Sequence, residues 1–386
     1  MSKKLLSPVD LLLAPELSEK EIKEIYKRYG FEDAGKADKN LQAIVKEPYV
    51  RKLLSEVIEP LFNQIKDSPD PDMVLNNLER FCSAVFDIRI FISQLKANPK
   101  LSFLLINLFS TSQFLSDIII RNPEYLWWLI EERAVDTSKS RDDLIRELRT
   151  TVSSLTSFEK RLNSMRRFRR REILRIGLKD ILGYEDVVNV TEELSYLADS
   201  LLQIAYEICL EELTKKFGRP MYKDSDDNFK EAGYAIIGMG KLGGEELNFS
   251  SDIDLIFVYD EDGETEGALK YDEKINIIAN NVFFIKLSES IISAITEITD
   301  EGYCYRIDMR LRPDGKVGAL ARSLKNTEIY YESWGETWER QALIKARFCA
   351  GRDDVGRRFE EMIEPFVYRK YLDYAAISEI KHTKER

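Results

Sequence analysis

Residues 234–257 read YAIIGMGKLGGEELNFSSDIDLIF, and the fold turns on this segment. It is a short apolar run, a glycine-rich turn, a polar connector and a second apolar run that opens with two aspartates. Residues i and i+2 of a strand share a face. Asp252 and Asp254 therefore present their carboxylates together, while Ile253, Leu255 and Phe257 point the other way. Adjacent carboxylates repel unless positive charge sits between them, and a divalent metal supplies it. The glycines let backbone N–H groups approach a phosphate closely. Acids of this kind beside a phosphate-cradling turn point to nucleotidyl or phosphoryl transfer.

Residues 302–312, GYCYRIDMRLR, repeat the pattern as a third strand. Arg306, Asp308, Arg310 and Arg312 alternate with Ile307, Met309 and Leu311, so one face is charged and the other apolar. Such a face can be an ion-pair ladder. Beside two further aspartates, Asp308 becomes a third metal ligand flanked by arginines suited to phosphate. Three carboxylates suit two Mg²⁺ ions, which take hard oxygen ligands and complete their shells with water and phosphate.

Two commoner motifs compete for the glycine turn. Lys241 is followed by Leu242, so the P-loop Ser or Thr that would meet magnesium is missing. Gly238, Gly240 and Gly243 do match G-x-G-x-x-G, with Asp260 standing where a ribose-binding acid would. The stretch between Gly244 and Asp252 is too short for a crossover helix, however, and a dinucleotide fold leaves Asp252, Asp254 and Asp308 without a task.

The 386 residues predict more than one folding unit, and 44% hydrophobic with 32% charged residues is a globular balance. A net charge of -11 disfavours general nucleic-acid binding. The most apolar window, residues 101–120, is interrupted by Asn107, Ser110, Gln113 and Asp117 and is too polar to span a bilayer. No apolar segment follows the opening MSKK, and Cys82, Cys209, Cys304 and Cys349 lack metal-ligand spacing. Both features predict a cytoplasmic protein with buried thiols. The one histidine, His382, excludes chemistry built on histidine, leaving carboxylates, metals, arginines and lysines.

Residues 1–225 read as a helical region. Ser18 and Glu21 form a capping box, Asp70 caps the helix that follows, and Thr191 opens a long helix. RLNSMRRFRRREILR, residues 161–175, places Arg167, Arg171 and Arg175 four apart. It reads either as a solvated face paired with acids or as a contact surface for phosphate or an acidic partner. A composition shift near residue 217 opens a sheet domain assigned to 226–325. A C-terminal helical region, 326–386, follows, with WERQALIKAR (residues 338–347) in one helix. The lack of a stop signal at Arg386 reads as a chain cut from something longer. The predicted class is α+β, mostly helical, with the sheet domain embedded between helical regions.

A strand, a glycine turn, an hDhDh strand and a later Asp-bearing strand resemble the polymerase-beta-like nucleotidyltransferase superfamily. GMGKLGGEELNFSSDIDLIF, RIDMRLRPDGKVG and WERQALIKAR, in that order, resemble the glutamine synthetase adenylyltransferase family more closely. LFSTSQFLSDIIIRNPEYL and RRFRRREILRIGLKDILG are similar to that family's helical part. The resemblance covers most of the chain from about residue 100. It implies a bifunctional family with two related halves, one removing AMP from a tyrosine of glutamine synthetase by phosphorolysis and one adding it from ATP. Met309 in RIDMRLRP and the run YYESWGETWERQALIKAR look more like the N-terminal, adenylyl-removing half.

The resemblance further implies that Asp252, Asp254 and Asp308 hold Mg²⁺. Gly243, Gly244, Ser251, Arg310, Arg312 and Lys345 would meet nucleotide or phosphate. The implied partners are glutamine synthetase, a nucleotide and inorganic phosphate, with a PII-type signal protein and glutamine as regulators, and no nucleic acid or membrane. The adenylylating activity, a nucleotidyltransferase for a tRNA end or an aminoglycoside, and a non-catalytic regulatory module remain as alternatives.

Overall fold

A computed structural model describes residues 6–131, 134–270 and 273–368. The chain is α+β: helices dominate, and the strands form small sheets. It divides into two compact units, one of Met1–Ser138 with Arg170–Val190, the other of Lys139–Arg169 with Thr191–Arg386.

The first unit is helical because apolar positions recur at helical spacing and polar caps separate the runs. Ser18 and Glu21 form the expected capping box, and Asp70 accepts from the Met73 N–H at 2.9 Å to start the helix Pro71–Ala84. That helix buries Val74, Leu78 and Phe81, and Phe81 meets Phe91 edge-on at 5.1 Å. The basic run lies in α1, Phe158–Ile181, and within this unit its arginines are structural. Arg175 is fully buried, donating to Glu172 at 2.6 Å and to the Thr137 carbonyl at 3.1 Å, while Arg171 stacks on Trp128. The next helix, α2, spans Val187–Phe217 and so starts four residues before Thr191. Asp186 accepts the Asn189 N–H at 2.9 Å and takes over the capping role expected of Thr191.

The second unit is built on a five-stranded sheet of β1 (Tyr234–Met239), β2 (Ile253–Tyr259), β3 (Ile307–Asp308), β4 (Ala321–Ser323) and β5 (Arg347–Gly351). β1 lies centrally, antiparallel to both β5 and β2. β2 carries two short parallel partners along its far edge, β3 beside its first half and β4 beside its second. Side-chain alternation along β1 and β2 explains the layers. Tyr234 stacks between Tyr206 of α2 and Phe284 of α3 (Asn280–Thr296) at 5.9 and 5.6 Å. On the opposite face Ala235, Ile237, Ile256 and Val258 pack against α4 (Leu324–Ser333), α5 (Thr337–Leu343) and α6 (Asp353–Val367). α6 buries Val355, Phe359 and Ile363, four apart, as a single stripe. At about 1.5–3 kcal/mol per buried large apolar side chain, this double-sided burial is what makes β2 a rigid base.

The rejection of a dinucleotide fold holds, and two other sequence expectations are corrected. The antiparallel β1–β2 register excludes a dinucleotide crossover, and Asp260 is buried, accepting from Gly233 N–H at 2.8 Å and pairing with Arg358 at 2.6 Å. The third strand is two residues long, because the Asp308 carboxylate captures the Arg310 N–H at 2.8 Å and turns the chain out of the sheet. WERQALIKAR is not one helix: α5 ends at Leu343, and Arg347 begins β5. Residues 369–386, including His382, lie outside the described residues.

Candidate active site

β2 positions the acids by its register. Asp254 lies on the face that continues inward as Ile256 and Val258, so the last apolar layer of the core gives way to a carboxylate. In the parallel pairing Asp254 stands directly opposite Asp308 of β3, and Asp252 precedes the strand by one residue. These residues line a cleft of about 710 Å³ together with Ser251, Arg306, Arg310, Lys241, Asn248 and Gly240.

The charges in the cleft are unevenly matched. Arg306 pairs with Asp252 and also donates to the Ser250 carbonyl at 3.3 Å. Arg310 donates to Asp308 through Nε at 2.7 Å, and this bond holds the Asp308 carboxyl below the usual carboxylate range. Asp254, half-buried, has no hydrogen-bond or ion-pair partner among the described residues. Burial raises its pKa, and the neighbouring Asp308 and Asp252 charges add to the rise while Arg310 opposes it. Lys241 reaches Asn248 at 3.3 Å, and Ser251 Oγ donates to the same amide oxygen.

The family model described as glutamate-ammonia ligase adenylyltransferase matches residues 103–362. The chain belongs to this family. It is 35% identical over 278 residues to the bifunctional glutamine synthetase adenylyltransferase/adenylyl-removing enzyme of Shewanella loihica, covering 72% of this chain and 28% of that protein. The proteins of the same name from Pseudomonas putida and Pseudomonas syringae pv. tomato are 36% and 37% identical over 276 residues, or 72% of this chain and 27% of each. The chain thus spans little more than a quarter of the length of these relatives.

In this adenylyltransferase-family chain the structure brings together Ser251, Asp252, Asp254, Asp308 and Arg310. It does not bring Gly243, Gly244, Arg312 or Lys345 to the lining. Gly243 serves backbone packing: a Cβ there would fall 1.9 Å from the Lys345 carbonyl oxygen. Lys345 pairs with Glu246, and Arg312 is buried in a loop of its own. Arg340 and Arg347 of the same stretch donate to the Phe366 carbonyl and to Asp199.

The glycine that faces the acids is Gly240. Its φ of +56° suits glycine, and a Cβ there would stand 2.7 Å from Asp254 Oδ2. Sequence reasoning noted Gly240 but gave the phosphate-facing role to Gly243 and Gly244, since nothing in GMGKLGG says which glycine meets the strand. Asn248, which orients both Lys241 and Ser251, was missed, and an Asn three residues before Ser251 in a polar connector is a faint signal. Gly240→Ala is expected to destabilise the fold by about 1–2 kcal/mol from the left-handed backbone and the contact together. Chemical denaturation of the purified variant measures this.

Among the described residues no three acidic, histidine or cysteine side chains converge closely enough to hold one metal ion. The donor chemistry nonetheless fits hard divalent cations. Asp254 offers an unpartnered carboxylate between two further aspartates, and all the oxygens are of the kind Mg²⁺ prefers.

Proposed function

We propose that the chain is a polymerase-beta-like nucleotidyltransferase that removes AMP from an adenylylated tyrosine of glutamine synthetase by phosphorolysis. The helical region 1–225 and the C-terminal region 326–386 would flank a transfer domain at 226–325. The observation that carries the reading is the unpartnered Asp254 carboxylate, set between Asp252 and Asp308 in a cleft that also presents Arg306, Arg310 and Lys241. The matched relatives are named for both adenylyltransferase and adenylyl-removing activities. The removing direction is favoured by the likeness of RIDMRLRP and YYESWGETWERQALIKAR to the N-terminal half of the family.

In this reaction an oxygen of inorganic phosphate forms a bond to the α-phosphorus while the bond from that phosphorus to the tyrosyl oxygen breaks. The products are ADP and tyrosine, whose phenolate is protonated by solvent. Asp252, Asp254 and Asp308 would hold Mg²⁺, which when bound neutralises phosphate charge and supports the leaving oxygen. Arg310 and Lys241 bind and orient the phosphate oxygens, and Arg306 adds positive charge at the rim. In-line displacement at phosphorus needs positioning and charge neutralisation more than covalent participation. No protein base is required, because phosphate is already anionic and a phenol of pKa near ~10 is a competent leaving group. A site without histidine suffices for that chemistry.

The test incubates the chain with adenylylated glutamine synthetase, phosphate and Mg²⁺ and follows ADP. A parallel reaction offers unmodified glutamine synthetase and labelled ATP. ADP release in the first is the expected result. Label incorporated in the second alone would reverse the direction, and silence in both from folded protein would reject the transfer reading.

A further inference from the structure

The loop that leaves Asp308 closes around an arginine. Arg312 is 8% exposed, and its guanidinium donates to three carbonyls: Met309 at 2.6 Å, Lys316 at 3.1 Å and Gly318 at 3.1 Å. Among the described residues no carboxylate pairs with it, and its N–H groups are spent inside the loop. Reaching a ligand would require the loop to open.

The enclosed backbone is tightly turned, with one non-glycine residue in the left-handed region. Asp314 and Gly315 both lie in the left-handed region, at φ +59° and +53°. At Gly318 a Cβ would meet the Pro313 carbonyl oxygen at 2.1 Å. From outside, Arg322 pairs with Asp314, and Tyr330 accepts the Asp314 N–H at 3.3 Å while donating to Glu339 at 3.0 Å. From inside, short backbone bonds such as Gly315 N–H to the Arg312 carbonyl at 2.8 Å close single turns, and the guanidinium spans the loop as a whole. Its planar fork serves carbonyls seven and nine residues apart in sequence (309 to 316 and 309 to 318) from two separate nitrogens, a geometry the single nitrogen of a lysine does not reproduce.

One peptide unit connects this brace to the cleft. The Met309–Arg310 peptide accepts from Arg312 through its carbonyl and donates to Asp308 Oδ1 at 2.8 Å through its N–H. The unit is planar, so fixing its carbonyl fixes the direction of its N–H. We propose that Arg312 is a positioning residue, which acts through the Met309–Arg310 peptide to set the Asp308 carboxylate and the Arg310 side chain toward the cleft. The proposal rests on the reading of that cleft as the transfer site.

The test measures ADP binding by the whole chain in the parent, Arg310→Ala, Arg312→Lys and the double variant, each checked for an intact thermal transition. Each single change is expected to weaken binding about 10-fold, with the double variant falling well short of the 100-fold product, because coupled residues are not additive. Losses that multiply to about 100-fold would overturn the proposal, since independent sites add in free energy. Gly318→Ala disrupts the loop with Arg312 in place and should reproduce the single-variant loss; parent-like affinity would count against the brace. It decides the question if Arg312→Lys does not fold. If the parent neither binds ADP nor turns over, the functional reading fails separately. Hydrogen exchange then decides: faster exchange of the Arg310 amide in Arg312→Lys or Gly318→Ala sustains the positioning role, and unchanged exchange ends it.

Discussion

Asp254→Asn is expected to lower ADP release by on the order of 10³-fold while leaving the thermal midpoint unchanged or raised. The two effects separate because the carboxylate is costly to the fold. It is half-buried at the end of an apolar layer, unpaired, and faces Asp308 across the parallel register. Burial and two like charges both disfavour its ionised form. Asparagine keeps the shape and removes the charge, so the folded state loses repulsion. Under the proposed function, the chemistry would lose the central oxygen donor and the negative charge that would draw a cation. Steady-state ADP release and a melting curve on the same preparation test this. Retained turnover would remove Asp254 from the site, and lost turnover with a lowered midpoint would make it a structural residue.

Asp199→Ala is expected to destabilise the second unit by about 3–5 kcal/mol, the range for removing one partner from an ion cluster built on a buried acid. Asp199 is fully buried in α2. Arg347 of β5 grips it with two bonds, 2.6 and 3.2 Å, and Arg141 adds a third at 3.2 Å. The same Arg347 donates to the Leu242 carbonyl at 3.1 Å, so the network ties helix, edge strand and glycine turn together. Removing the acid takes the shared buried partner from two partly exposed guanidinium groups and loosens the turn that carries Gly240. The melting point should fall by on the order of 10 °C, given about 2–4 °C per kcal/mol for a unit of this size. Replacing both Asp199 and Arg347 by leucine and methionine is expected to recover much of the loss, because a buried ion pair contributes little over good packing. A drop of under about 1 kcal/mol for Asp199→Ala would show that solvent reaches the cluster.

Asp199 also shows where sequence reading stops. In α2 it is one acid among several, and nothing local marks it as the partner of an arginine 148 residues away. Arg347 was read into a helix because WERQALIKAR has helical spacing, yet it pairs in β5 against Gly238. Local propensity lost to the unfilled edge of β1, whose backbone groups need a partner. The surroundings of Gly243 and Lys345, which lie off the cleft lining, were hidden for the same reason. Their roles come from a backbone approach between the glycine turn and the entry to β5, and that approach exists only once the sheet has formed.

The strand alternation from Asp254 onward, the buried apolar runs of β1 and β2, the caps at Ser18 and Asp70 and the buried free thiols were written in the sequence itself. Each depends on neighbours within a turn of helix or a few strand residues, where period and chemistry act directly. Tertiary structure alone decided that Asp308 stands opposite Asp254, that Gly240 is the glycine facing the acids, and that Arg312 faces a cage of carbonyls. Those outcomes depend on strand register and on buried polar groups finding partners far along the chain, which burial of the whole domain selects and no local pattern encodes.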